Sequence, residues 1–248
     1  MTQAMSDPKQ ASAALAELFE THSHVVFFGG AGVSTASGIP DFRSVDGLYS
    51  QKFKYPPETM LCHSFYVRHP EEFYDFYREK MICLGAKPNA AHYKLAELEA
   101  AGKLRAVITQ NIDGLHQAAG SKRVLELHGS VHRNYCQRCH ACFDASYILQ
   151  TQGVPICDVC GGPIKPDVVL YEESLDSETL SAAIQYISRA DMLIVGGTSL
   201  AVYPAAGLVN YYRGHKLTLV NKTPTPYDKQ ANLLVSGPIG EIFSEIQL

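Results

Sequence analysis

A chain of 248 residues, 46% of them hydrophobic, can bury one large core, or a large core with a small inserted one. A net charge of −4 with scattered lysines and arginines excludes a nucleic-acid footprint. No apolar run approaches the roughly 20 residues of a membrane span. Met1–Gln10 is polar and lacks the apolar stretch of an export signal, so a soluble cytoplasmic protein is expected.

In chain order, Pro8–Thr21 carries an apolar stripe (Ala11, Ala14, Leu15, Leu18, Phe19) that predicts a helix packed on a sheet. Val25–Phe28 reads as a buried strand that opens into Gly29–Ser44, a Gly-rich turn with little side-chain bulk before Ile39. A strand feeding such a turn and a helix start is where α/β sheets hold a pyrophosphate. The usual dinucleotide fingerprint is incomplete here: Thr35 stands at its third glycine, and no acidic residue ends a second strand about 20 residues on. The stretch ends in Pro40-Asp41-Phe42-Arg43, which sets a carboxylate, an aromatic and a guanidinium beside the expected phosphate site.

Asp46–Ala86 is rich in aromatics and broken by Pro56-Pro57 and Pro70, which predicts short helices, the last over Pro70–Leu84. Its aromatics are expected in the core. Asn89–Ala101 predicts an amphipathic helix and Leu104–Thr109 a second buried strand before Gln110-Asn111-Ile112-Asp113-Gly114. A third strand, Arg123–Leu127, ends in His128-Gly129. Beyond the cysteines come a helix over Ser177–Arg189, a strand Met192–Val195 ending in Gly196-Gly197-Thr198-Ser199, and a helix over Ala205–Tyr212. A strand Lys216–Val220 ending in Asn221 and a terminal helix Ile239–Ile246 close the chain.

This alternation predicts an α/β fold, a doubly wound parallel (Rossmann-like) sheet, with ligands beyond the carboxyl ends of its strands. The polar strand ends should therefore meet in one crevice. The sheet is expected to be built from residues 1–45, 88–130 and 170–248, with 46–87 as a helical insert and 131–169 as a zinc-ribbon module.

Five of the seven cysteines crowd into that module. Cys136-x-x-Cys139 and Cys157-x-x-Cys160, with 17 residues between the pairs, have the spacing of a four-thiolate zinc site. A closed sphere of four thiolates makes the metal structural. Two disulfides are the alternative, disfavoured in a reducing compartment. Cys142 could replace Cys136 as a ligand, and His132 and His140 lie nearby.

The Gly29–Ser44 stretch, Thr109–His116, Leu127-His128-Gly129, Gly197-Thr198-Ser199-Leu200 and Val220-Asn221, with the ribbon between the third and fourth strands, resemble in order and spacing the motifs of the sirtuins, NAD-dependent protein-lysine deacylases. The resemblance runs from about Val25 to the C-terminus. It implies that the acyl-lysine carbonyl oxygen attacks the anomeric carbon of the nicotinamide ribose and expels nicotinamide. His128 would be the general base for a ribose hydroxyl, a role that suits an unperturbed pKa near 6.5. The freed hydroxyl would then attack the alkylimidate, and water would release lysine and an acyl-ADP-ribose.

The same resemblance assigns Gln110 and Asn111 to the ribose, and Asp113, Ile39 and Asp41 to the nicotinamide amide. Gly30, Ala31, Arg43, Thr198 and Ser199 would hold the phosphates, Asn221 the adenosine ribose, and Phe42 would shield the intermediate. Gly32, Thr35, Ile112, Gly197, Lys222 and Ile239 complete the cofactor-binding set, and Val168, Val169, Leu170 and Tyr171 the substrate-binding one. Cofactors are NAD and one structural zinc; partners are acyl-lysine proteins or peptides, and the chain is expected to be a monomer.

Taken singly, these residues have plainer uses: His128 a strand-end hydrogen bond, Asn111 and Asp113 a helix cap, Arg43 a surface ion pair. The sequence also departs from the family. After the ribbon, where it commonly reads Arg-Pro-x-Val-Val-Phe-Phe-Gly-Glu, this chain has Lys165-Pro166-Asp167-Val168-Val169-Leu170-Tyr171-Glu172-Glu173. Leu170 and Glu172 fall where a substrate peptide would pair as a strand. Members that remove succinyl groups carry Tyr-x-x-Arg in the helical insert. Here Tyr74 is followed by Tyr77, with Arg78 one position late, so uncharged acyl groups are expected. An NAD-dependent mono-ADP-ribosyltransferase and a zinc-ribbon binding module without catalysis are the competing functions.

Overall fold

The computed structural model describes residues 4–247. Val25–Gly29 (β1) is buried along its whole length, as an apolar run without alternation requires, and takes parallel neighbours on both sides. These are Leu104–Thr109 (β2) and Met192–Gly196 (β7). Val124–Glu126 (β3), Lys216–Asn221 (β8) and Leu233–Ser236 (β9) extend the sheet, in the order β3-β2-β1-β7-β8-β9, with every pair parallel.

Two apolar layers cover this sheet. On one face Leu15 and Phe19 of α1 (Pro8–Thr21), Leu95 and Leu98 of α5 (Ala90–Ala100), and Ile242 and Phe243 of α9 (Ile239–Ser244) pack on Phe27 and Val107. On the other, Ala183 and Ile187 of α8 (Ser177–Arg189) pack on Val26, Phe28 and Val195. Asp7 and Asp176 cap α1 and α8, each accepting a first-turn N–H, so both helices begin where an N-cap residue permits.

Gly129–Cys136 (β4), Cys142–Phe143 (β5) and Ile164–Val168 (β6) form a separate antiparallel sheet in the order β5-β4-β6, with α7 (Ala145–Gln150) between its strands. The insert contains α2 (Pro57–Met60), α3 (His63–Arg68) and α4 (Pro70–Phe76). A third apolar cluster joins them: Phe73, Tyr74 and Tyr77 pack with Val131, Cys136, Ile148 and Ile164. The insert's aromatics are thus core, and insert and ribbon share one interior.

Two elements differ from expectation. The helix expected over Pro70–Leu84 is α-helical only to Phe76 and then widens into a π-turn over Tyr77–Met81. The wider turn keeps both Tyr74 and Tyr77 fully buried while Arg78 reaches the ribbon. Ala205–Tyr211 is a 3₁₀ helix, with Gly207 in the middle of it. The short edge strand β9 has no alternation to announce it and was not expected.

Where α5 meets α6 (Leu115–Ala118), the rings of His92 and His116 lie 4.8 Å apart in the interior. Among the described residues neither ring nitrogen of His116 has a hydrogen-bond partner, and burial pushes its pKa down to about 3 and that of His92 to about 4. Both are depressed below the unfolded value near 6.5, so the stability they contribute is present above pH 6.5 and lost as pH falls toward 4. We expect His116→Leu to lessen the loss of unfolding free energy between pH 7.5 and pH 5 by about 2 kcal/mol, read from urea midpoints.

Candidate active site

All six strands of the large sheet run in one direction, and β1, β2 and β7 stop level: Gly29 pairs with Thr109 and with Gly196. The turns that follow therefore meet. The Gly30 N–H donates to the Gly196 carbonyl at 3.3 Å and the Gly32 N–H to the Gly197 carbonyl at 2.8 Å. A Cβ on Gly30 would lie 2.8 Å from that of Thr198, and one on Gly32 2.8 Å from the Gly197 Cα, so the close approach needs bare backbone on both sides. Ala31–Val33 and Thr35–Ser37 then form two successive 3₁₀ turns.

Thr198 draws three strand ends together. Its hydroxyl accepts from Gln110 Nε2 at 2.9 Å, its N–H donates to Asn221 Oδ1 at 2.9 Å, and its carbonyl accepts from Asn221 Nδ2 at 2.7 Å. Asn221 is buried by this pairing, and exposed Lys222 follows it. Ser34, buried in the first turn, makes a second knot. Asn111 Nδ2 donates to Ser34 Oγ at 3.0 Å, and Ser34 Oγ donates to Asp113 Oδ2 at 2.6 Å. The other carboxylate oxygen of Asp113 caps α6 through the Leu115 N–H, so Asp113 serves both as a cap and as a partner of the glycine turn.

His128 follows β3 at the same level. Its Nδ1 stands 2.9 Å from the Gln110 carbonyl. A carbonyl only accepts, so Nδ1 carries the hydrogen and Nε2 keeps its lone pair. Burial lowers the His128 pKa below the ordinary value, and the bond to Gln110 opposes that. The His128 carbonyl accepts the Val169 N–H at 3.0 Å, which ties the imidazole's backbone to the strand leaving the ribbon.

The remaining expected cofactor residues divide. Ile39 is half-buried, its N–H bonded to the Ser34 carbonyl, and Ile112 packs against the third cluster. Asp41 Oδ1 accepts the Arg43 and Ser44 N–H groups at 3.0 and 2.7 Å, so that carboxylate caps its own loop. Phe42 sets an edge against Tyr49, and the Arg43 guanidinium lies over the same ring. The Ile239 side chain is in the core under β1 and β7, packed beneath Gly196. Of the expected substrate residues, Val168 and Leu170 are buried, and Val169 and Tyr171 half-buried. The N–H groups of Val169, Leu170 and Tyr171 are taken by His128, Glu173 and Leu61; among the described residues the Val169 carbonyl and the Glu172 N–H and carbonyl have no hydrogen-bond partner.

The sulfurs of Cys136, Cys139, Cys157 and Cys160 all lie within 4.8 Å of one another, with Cys136–Cys160 at 3.4 Å and Cys139–Cys157 at 3.6 Å. Tetrahedral zinc with bonds of roughly 2.3 Å sets sulfurs about 3.8 Å apart, whereas a disulfide needs about 2 Å. The donor set therefore fits one zinc ion. Cys142 is exposed on β5 outside the cluster, and His132 Nε2 bonds the Asp113 carbonyl at 3.0 Å, so neither joins it. His140 is likewise outside.

A sequence profile of the Sir2 family matches residues 30–204, from the glycine turn through Thr198. This chain belongs to the Sir2 family. It is 60% identical to an NAD-dependent protein deacetylase of Clostridium tetani, across 94% of this chain and 95% of the relative. It is 53% identical to the protein of that name from Cutibacterium acnes, across 94% and 96%. A solved complex described as Sir2-p53 peptide-NAD+ superposes with a TM-score of 0.83 at 43% identity, covering 94% of this chain and 95% of the other. A Sir2 variant with deacetylated p53 peptide and 3'-O-acetyl ADP ribose superposes with a TM-score of 0.87 at 43% identity, covering 94% and 96%.

The donor chemistry of this Sir2 crevice suits a dinucleotide. Ala31 opens a 3₁₀ turn, so its N–H has no intrahelical acceptor. Among the described residues, the side chains of Arg43 and Ser199 make no hydrogen bond or ion pair. One cation, one hydroxyl and a bare N–H are the groups that a pyrophosphate takes. Ser34 is the residue that sequence reasoning did not assign; its only signal was a hydroxyl within the glycine turn. For the Sir2 ribbon, we expect about one zinc per purified chain by elemental analysis. Cys142→Ser should leave that content unchanged, while Cys139→Ser should lower it severalfold and reduce the melting temperature.

Proposed function

We propose that this protein removes acetyl groups from protein lysines in a reaction that consumes NAD, giving nicotinamide, O-acetyl-ADP-ribose and free lysine. The observation that carries the proposal is the placement of His128. Its Nδ1 is tied to the turn after β2 and its carbonyl to Val169, so one imidazole stands between the dinucleotide crevice and the strand leaving the ribbon. NAD supplies a sugar carbon made electrophilic by nicotinamide as leaving group.

The chain's own groups do the rest. Nε2 of His128, held unprotonated, accepts a proton from a substrate hydroxyl. Asn111, whose amide is oriented by Ser34, and Gln110, oriented by Thr198, hold the sugar. The Ala31 N–H, Arg43 and Ser199 take the phosphates, and Asn221 with Lys222 borders the adenosine end. An acetylated peptide lies along Val168–Tyr171, using the Val169 carbonyl and the Glu172 backbone. Zinc bound by four thiolates has no open position and holds the ribbon together. ADP-ribosyl transfer as the main activity is not favoured, because the named relatives are deacetylases.

The acyl preference rests on Arg78. Its guanidinium bonds the Ile148 carbonyl, the Thr151 hydroxyl and the Gly153 carbonyl, so it is committed to the ribbon and gives no cation to an acidic acyl group. Tyr74 is fully buried, with its hydroxyl on the Ile164 carbonyl.

Mass spectrometry of a reaction with NAD and an acetyl-lysine peptide should show O-acetyl-ADP-ribose, and its absence would sink the proposal. His128→Ala should lower kcat/KM by about 10²-fold or more. Because the His128 pKa is depressed, the acid limb of kcat/KM should fall below pH 6.5, with activity flat from there to neutrality. The kcat/KM for acetyl-lysine should exceed that for succinyl-lysine peptide by about tenfold or more, a gap of at least 1.4 kcal/mol in transition-state stabilisation.

A further inference from the structure

Tyr49 belongs to neither the expected cofactor set nor the expected substrate set, yet it touches both. The Phe42 ring meets it edge-on with centroids 5.5 Å apart, and the Arg43 guanidinium lies 5.4 Å from its ring centre. Its hydroxyl is 2.8 Å from that of Tyr171, 122 residues further along the chain. One hydroxyl of the pair donates and the other accepts.

The rest of the segment 41–51 is bonded to itself. The Leu48 N–H donates to the Asp41 carbonyl and the Tyr49 N–H to the Phe42 carbonyl. Gly47 and Ser50 close on Ser44, and the Asp41 carboxylate takes two N–H groups of its own loop. Among the described residues, the Tyr49–Tyr171 bond is the one hydrogen bond that leaves this segment. Leu48 anchors the loop in the third cluster, but an apolar contact fixes no direction. Tyr171, by contrast, is pinned through its backbone: its N–H donates to the Leu61 carbonyl, and its carbonyl accepts the His63 N–H.

We propose that the Tyr49–Tyr171 hydroxyl pair is a latch through which an acetylated peptide on the 168–172 segment favours the loop position in which Phe42 and Arg43 receive the dinucleotide. Tyr49 is a positioning residue, because it acts through Phe42 and Arg43. The latch rests on the deacetylase proposal above. Two ligands that favour one shared arrangement tighten each other by the same factor. A single net hydrogen bond sets that factor at about three- to tenfold.

The test uses the full zinc-loaded chain and ADP-ribose, which lacks nicotinamide and cannot turn over. Calorimetry gives the Kd for ADP-ribose with and without saturating acetyl-lysine peptide. The wild type should bind ADP-ribose about three- to tenfold more tightly with peptide present. In Tyr49→Phe, in Tyr171→Phe and in the double variant, the ratio should fall below about 1.5, and the double should lose no more than either single. The KM for NAD should likewise fall with peptide concentration only in the wild type, and in Tyr49→Phe kcat should change less than about twofold.

A wild-type ratio retained in the variants, no coupling in the wild type, or additive losses in the double variant would each overturn the latch. Each single variant removes one oxygen atom and tests the same bond, so either suffices if the other is not folded by its thermal midpoint. Deacetylation by the wild-type preparation reports separately on the proposal beneath it. Activity with no coupling defeats the latch alone.

Discussion

The parallel pairing of β1 with β2 on one side and β7 on the other is the constraint on which the rest depends. Because Gly29, Thr109 and Gly196 share one register line, the turns beyond them arrive at one height. Hydrogen bonding among those turns can then begin. Thr198 receives Gln110 from one side and pairs twice with Asn221 from the other, while the glycine turn sits against Gly197 with no room for a side chain. Each of these bonds is modest alone, on the order of 1 kcal/mol. Together they convert the end of a sheet into a rigid polar floor, and a polar group held in place before a ligand arrives costs nothing to reorganise.

The second sheet contributes by attachment to that floor. β4 leaves directly after His128, and β6 returns beside it, so Val169 closes a hydrogen bond on the carbonyl of His128 itself. The ribbon and insert then share one interior, with Tyr74 and Tyr77 under the ribbon sheet and Arg78 bonded into its loop. Four thiolates hold the far end of the ribbon, well removed in the fold from the imidazole. The metal's contribution is therefore mechanical: a small sheet with a thin core gains the cross-link it lacks.

Much of this was legible because local signals agreed with the global fold. Apolar runs without alternation marked β1, β2 and β7, and Pro8–Thr21 and Ser177–Arg189 form helices over their expected residues. The spacing of the cysteines identified the four ligands. It could not reject Cys142, which lies as far beyond Cys139 as Cys139 lies beyond Cys136; only the pairing of Cys142 with Tyr135 on β5 turns it outward. Ser34 and Tyr49 were illegible for another reason. Their partners lie 77, 79 and 122 residues away, and no short-range pattern encodes such distances. Nor did any local pattern announce that the Asp41 carboxylate is engaged in its own loop or that the Ile239 side chain packs in the core. The π-turn at Tyr77–Met81 was hidden because one extra residue per turn leaves helical periodicity almost intact.

Gly129 adopts a φ of +74°, and any side chain there would overlap the Asp167 carbonyl. The crossing of β4 and β6 beside His128 is thus the least tolerant junction of the small sheet, and the metal-bearing loops beyond it are joined to the rest of the fold by these two strands and by the insert packed against them. The ribbon's distal half is in that sense a module with two attachments, one through its strands and one through the insert. A designed replacement must therefore return both strands to the same crossing and still offer the acceptors that engage Arg78.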